Sequence, residues 1–326
     1  MERNGATSVG DKTKIEWADA TWNPVSGCSQ VSPGCAHCYA KAITERFGRV
    51  FEDVKLHEDR LRKPLSWKTP RRVFVNSMSD LFHESIPDEF IDKVFAVMAL
   101  TPQHSYQVLT KRPERMREYV RTAFVDGARR IARSVPALAG TRPLDDADER
   151  ILEALFGAKP NTTPQPLPNV WLGVSVENQH WADVRIPILL DTPAAVRFIS
   201  AEPLLGPVDI RPYLERNGEG DDRTGSGDPF KESRGREISG DRGRLRDHLS
   251  GGFEDSARRP LGLISWVIIG GESGAKRRAF DLAWARGLKN QCDIRQIPVF
   301  FKQAGAFLPG VPSGDPELDA AKAWPL

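Results

Sequence analysis

The chain has 326 residues, 40% hydrophobic and 28% charged, which describes a globular protein with a sizeable core and excludes a disordered or fibrous chain. A net charge of +2 provides no overall attraction to nucleic acid. Four cysteines are too few for a disulfide-stapled secreted scaffold, the first residues lack an apolar signal core, and runs such as VFAVMAL and WVIIGG are too short to cross a bilayer, so a cytoplasmic protein with no membrane segment is expected.

In chain order, TWNPVSG reads as a first strand that leads into GCSQVSPGCAHCYA, a C-x6-C-x2-C array of Cys28, Cys35 and Cys38. Gly27, Pro33 and Gly34 bend this loop, and Cys292 lies far away in sequence. Three thiols on one bent loop suit a metal centre that keeps an open coordination position, whereas structural sites are closed. The residues alone also allow structural zinc, with His37 or Cys292 as a fourth ligand.

Residues 39 to 47 follow as a helix, with Ala40, Ile43, Thr44 and Phe47 at helical spacing. RVFVNSM is a strand, and PDEFIDKVFAVMAL a helix whose Phe90, Val94, Val97 and Met98 share a face and whose Pro87 and Asp88 suit its first turn. SYQVLTK (strand), RPERMREYVRTAF (helix), VWLGVSV (strand), residues 181–190, VRFISAEPLL and SWVIIGG (strands), FDLAWARGLKNQCDIR (helix) and IPVFFKQ (strand) complete the alternation. Near-continuous apolar runs such as VWLGV and PVFF suit strands covered on both faces. About seven βα units in one domain over residues 1–326 predict an α/β fold, a partial or complete parallel (β/α) barrel. Two stretches break the rhythm: a partly helical insertion at 126–168, and a flexible, charged, Gly-rich insertion at 215–260 with too few apolar residues to offset chain entropy. The tail, PGVPSGDPELDAAKAWPL, is expected on the surface.

Active sites of parallel barrels lie at the carboxyl ends of the strands. Here those ends carry Ser77 and Asp80, then Lys111, Ser175 with Glu177, Glu202, the run Gly270, Gly271, Glu272 and Ser273, and finally Lys302. One cap residue at such a turn is ordinary structure; polar groups at nearly every end would surround the cysteine loop with donors and acceptors for a polar cofactor. The paired glycines allow close approach of a ligand and Glu272 can accept from an amine or a ribose hydroxyl; a tight turn capped by Ser273 is the plainer alternative. Two basic stretches, Arg60 to Arg72 around Trp67 and Lys111 to Arg117, are expected to flank this face, where cations interleaved with aromatics suit a phosphate backbone and unstacked bases.

KIEWADATWNPVSGCSQVSPGCAHCYA, LTKRP, ISAEPLLGP, IIGGESG and FFKQAG together resemble the phage Gp37/Gp68-like (DUF5131) family and, more broadly, the radical S-adenosylmethionine (SAM) superfamily. NSMSDLFH and LTKRP are also similar to stretches of the spore photoproduct lyase branch. The resemblance implies a radical SAM-type barrel whose Cys28, Cys35 and Cys38 hold a 4Fe–4S cluster, with one iron left for SAM and His37 against the adenine. The superfamily usually has three residues between its first two cysteines, and this chain has six. The implied activity is one-electron cleavage of SAM to a 5′-deoxyadenosyl radical, with flavodoxin or ferredoxin as electron donor and DNA or RNA as the expected substrate. Ser77, Asp80, Ser175, Glu177, Glu202 and Glu272 are the expected SAM-holding residues, with Lys111 and Lys302 facing its carboxylate or a substrate phosphate. Two other functions stand beside this one: a zinc-stabilised nucleic-acid-binding protein without catalysis, and a non-catalytic iron–sulfur interaction subunit.

Overall fold

The apolar runs pair side by side in a computed structural model, which describes residues 13–125, 131, 166–214, 263–273, 277–304 and 313–325. In chain order the strands are β1 (Ala20–Trp22), β2 (Val25–Ser26), β3 (Lys55–Leu56), β4 (Arg72–Val75), β5 (Ser105–Thr110), β6 (Val170–Ser175), β7 (Val196–Ala201), β8 (Trp266–Gly270) and β9 (Val299–Gln303). Seven form one sheet in the order β1-β4-β5-β6-β7-β8-β9, every neighbouring pair parallel. The sheet curls into a half-barrel, the partial form of the expected architecture. The expected first strand is split: Ala20–Trp22 joins the sheet, whereas Val25–Ser26 pairs antiparallel with β3.

The helices are α1 (Tyr39–Arg46), α2 (Glu58–Leu61), α3 (Asp88–Ala99), α4 (Pro113–Val125), α5 (Gln179–Leu190), α6 (Leu282–Ile294) and α7 (Pro316–Ala320). Pro87 caps α3, and Asp88 and Glu89 in its first turn complement the helix dipole. The side chains of Asn178 and Asp281 accept from the first-turn N–H groups of α5 and α6.

Alternate strand residues point to opposite faces, so both faces of these runs must be covered. One set, including Val75, Val108, Val174, Ile199 and Ile269, packs with the buried faces of the helices. The other set, including Phe74, Phe198, Trp266 and Phe300, forms a second cluster with Trp17 on the concave side. Each such fully buried side chain contributes about 1.5–3 kcal/mol. Trp17 immediately precedes β1 and closes the amino end of the half-barrel; its ring lies 4.5 Å from Phe74 and 6.0 Å from Trp266.

The tail departs from expectation. Lys322 pairs antiparallel with Phe300, Trp324 lies tilted 5.0 Å from the same ring, and Leu318 is fully buried. Its apolar residues cover the otherwise open edge of β9. α1 departs in another way: Ala40 is buried, but Ile43 and Phe47 of the same stripe are exposed. The insertion at 215–260 lies outside the described residues, as does that at 126–168 apart from residue 131 and residues 166–168. Among the described residues no helix is long and apolar enough to cross a membrane.

Candidate functional site

The two-residue period of the strands gathers the polar ends. Ser175, Ser200 and Gly270 share the concave register of Phe198 and Trp266, and continuing that period brings Lys111, Glu202, Glu272 and Lys302 to the same side. Asn76, held at φ 58°, turns the chain at the end of β4 and accepts from the N–H of Val25. A cavity of about 150 Å³ opens there, lined among others by Cys28, Cys35, Cys38, Asp80, Lys111 and Ser175.

The cysteine loop is tied to this mouth at three places. At the β4 and β5 ends, Asp80 accepts from the Thr110 hydroxyl at 2.8 Å and the Lys111 N–H at 3.0 Å. It also meets Arg112 at 3.2 Å, and that guanidinium donates onward to Cys28 Sγ at 3.5 Å, Ser29 Oγ at 2.7 Å and Ser29 O at 3.2 Å. At the β6 end, Glu177 is fully buried against Arg185 at 2.9 Å and accepts from Ser32 at 2.6 Å. At the β8 end, Glu272 accepts from Arg278 at 2.6 Å and pairs with His37 at 2.8 Å, while Arg278 also donates to the Pro33 carbonyl at 3.0 Å.

Within the loop, Pro33–Cys35 forms a single tight turn, and Cys38 caps α1. Burial and the nearby Asp80 push the Cys28 thiol up to about 11, against the pull of Arg112. Burial also raises the Glu272 carboxyl, but hydrogen bonds from Arg278 and His37 outweigh it and hold that group at about 2.

Ser77, Asp80, Lys111 and Ser175 thus line one cavity with the three cysteines. Lys111 Nζ lies 3.0 Å from Ser175 Oγ and 3.7 Å from Glu177. Glu202 and Lys302 form an ion pair at 2.5 Å. The carboxylates of Glu177 and Glu272 are taken up by loop contacts, and His37 is directed at Glu272. Gly271 donates to Gln303 O within the sheet, a Cβ on Gly270 would sit 3.4 Å from Glu202, and Ser273 is half-buried beyond them.

The basic stretch around Trp67 is not where it was expected. Trp67 is buried edge-on against His104, just before β5, and Arg72 pairs with Asp19 just before β1. Both belong to the amino ends, opposite the cavity, because the chain from α2 to β4 runs down the outside of the sheet before re-entering it. Three anchors, Ser32, Arg185 and Arg278, were not legible as such. A weak signal existed, since an arginine follows Glu177 by eight residues and Glu272 by six.

Among the described residues, no three His, Cys, Asp or Glu side chains are arranged to hold a metal ion. The donor chemistry of the loop nevertheless suits an iron–sulfur group: three half-buried thiols line one cavity, while Cys292 is buried on the inner face of α6. A cluster asks each thiolate for a separate iron, so the sulfurs need not converge on one point, and an N–H directed at Cys28 suits a thiolate.

Comparisons with curated proteins and with solved structures gave no match. The family described as "Protein of unknown function (DUF5131)" matches residues 12–316, which take in the cysteine loop and every strand of the sheet, and the chain therefore belongs to the DUF5131 family.

Proposed function

We propose that this protein is a radical SAM-type iron–sulfur enzyme acting on nucleic acid. One observation carries the reading: the three clustered cysteines border one cavity with Asp80, Lys111 and Ser175 at the carboxyl ends of a parallel half-barrel, the end where such folds do chemistry. Cys28, Cys35 and Cys38 would hold the cluster, and the cavity they line would take SAM. When bound and reduced, a cluster there would supply one electron for reductive cleavage of a carbon–sulfur bond of SAM.

The chain's own residues bind, orient and exclude water. Lys111 offers its cation to a carboxylate or phosphate, and the Ser77 and Ser175 hydroxyls lie on the same wall. Asp80, Glu177 and Glu272 act through the loop, fixing it over the mouth. Glu202 and Lys302 neutralise each other at the far strand ends. Flavodoxin or ferredoxin is the proposed electron donor. The nucleic-acid part rests on the basic run from Arg60, whose backbone meets Trp22 at the carboxyl end of β1, to Arg72 at the amino end of β4, which offers a docking surface for a polymer.

Anaerobic reconstitution with iron and sulfide, followed by reduction in the presence of SAM, tests the reading. Bound iron and sulfide are expected, with release of 5′-deoxyadenosine. Alanine at Cys28, Cys35 or Cys38 is expected to abolish iron binding, and Cys292→Ala to leave it intact. Zinc in place of iron would instead mark a zinc-stabilised module, and iron without 5′-deoxyadenosine a non-catalytic iron–sulfur subunit.

A further inference from the structure

Arg112 is 9% exposed, and its guanidinium has an acceptor for every donor. Nε reaches Glu84 at 3.0 Å, one terminal nitrogen reaches Asp80 at 3.2 Å and Cys28 Sγ at 3.5 Å, and the other reaches Ser29 O at 3.2 Å and Ser29 Oγ at 2.7 Å. A guanidinium is planar and holds five N–H groups in a fixed fork, so it sets the relative position of everything it binds. Two of its partners belong to the cysteine loop and two to the segment after β4, while Arg112 itself follows β5.

We infer that Arg112 is a positioning residue for the first thiol of the loop and that it raises the reduction potential of an iron–sulfur cluster bound there. The inference rests on the cluster reading given above. An N–H directed at a cluster sulfur, and a positive charge beside it, both stabilise the more negative reduced state. Lysine keeps the charge but not the fork, so Arg112→Lys separates the two contributions.

The test compares reconstituted wild type, Arg112→Lys and Arg112→Gln by iron content and by a redox titration followed with electron paramagnetic resonance. A lower midpoint potential in Arg112→Gln, with Arg112→Lys between it and wild type, is expected. Loss of iron from Arg112→Gln with an unchanged melting temperature of the metal-free protein also supports the positioning role. Equal iron content and equal potential in all three proteins overturn it while leaving the cluster reading intact. A wild type that takes up no iron overturns both. If Arg112→Gln fails to fold, Arg112→Lys decides alone, and an unchanged potential in it, with unchanged iron, rejects the role of the fork.

Discussion

A Cβ placed on Gly34 would lie 2.5 Å from Glu177, which itself accepts from Ser32 two residues before Gly34. The cysteine loop therefore lies on the end of β6 at a separation only glycine permits. Glu177 has no freedom to yield, because Arg185 holds its other oxygen in the interior. Gly34→Ala is expected to cost about 1–3 kcal/mol, the usual penalty for overpacking. Urea unfolding measures it, and wild-type stability would mean that the loop lifts away freely.

The Glu177–Arg185 pair has a second consequence. Both side chains are almost fully buried, and Nε and one terminal nitrogen of Arg185 have no hydrogen-bond partner among the described residues. The guanidinium rests instead over the Trp181 ring at 4.1 Å. Removing the carboxylate alone strands a charge in the interior, so Glu177→Ala is expected to destabilise by about 3–5 kcal/mol. Replacing both residues by apolar ones is expected to recover much of that loss. Chemical denaturation of the two single variants and the double variant checks this, and additive losses would count against it.

The strands were legible because burial on both faces demands apolar runs, and their polar ends because a barrel mouth collects them. The partners of those ends were not. Glu177 meets Ser32 across 145 residues and Glu272 meets His37 across 235, distances at which periodicity carries no information. The Ile43–Phe47 stripe shows the same limit: spacing announces a helix face without saying what covers it. Trp67 misled for a related reason, since aromatic and basic residues in one run do not reveal that the ring is buried.

Acid offers a test of the β8 anchor. Glu272 titrates near 2 in the folded protein, below the ordinary 4.5. A depressed folded pKa means that its stabilisation is complete above the unfolded value and is lost as the pH falls from about 4.5 toward 2. Melting temperatures measured across that window are expected to fall less steeply in Glu272→Gln than in wild type. Parallel curves would show that the His37 and Arg278 contacts do not hold the folded state.

Thiol accessibility distinguishes the fourth cysteine. Cys292 is fully buried, and burial pushes its thiol up to about 12, so both access and thiolate are scarce. In the metal-free protein at mildly alkaline pH, alkylation followed by mass spectrometry is expected to modify Cys35 and Cys38 first, Cys28 more slowly because burial raises its thiol, and to spare Cys292 until denaturant is added. Early modification of Cys292 would contradict its burial on the inner face of α6.

The nucleic-acid proposal makes the last prediction, and the fold narrows it. Trp67 is buried, so base stacking on that ring is not part of the binding, and Arg72 is committed to Asp19 beside β1. The rest of the run is electrostatic: Arg62 and Lys68 are exposed, Arg60 and Lys63 are half-buried, and Arg71 lies over the Trp67 ring at 4.9 Å. Contacts of this kind act through counterion release, so affinity falls steeply with salt, by a slope of about 0.9 per phosphate contacted on duplex DNA. Each cation removed is expected to shallow that slope by about one and to weaken all sequences alike. Labelled single- and double-stranded DNA and RNA are to be titrated over a salt series against wild type and an Arg62→Gln, Lys68→Gln variant, which removes the two exposed cations of the run. Arg72 is left in place so that the start of the sheet is undisturbed, and the melting temperature of the variant confirms it. If wild type binds none of these polymers, or the variant keeps the same slope, the surface is not a phosphate-docking site and the substrate belongs to another chemical class.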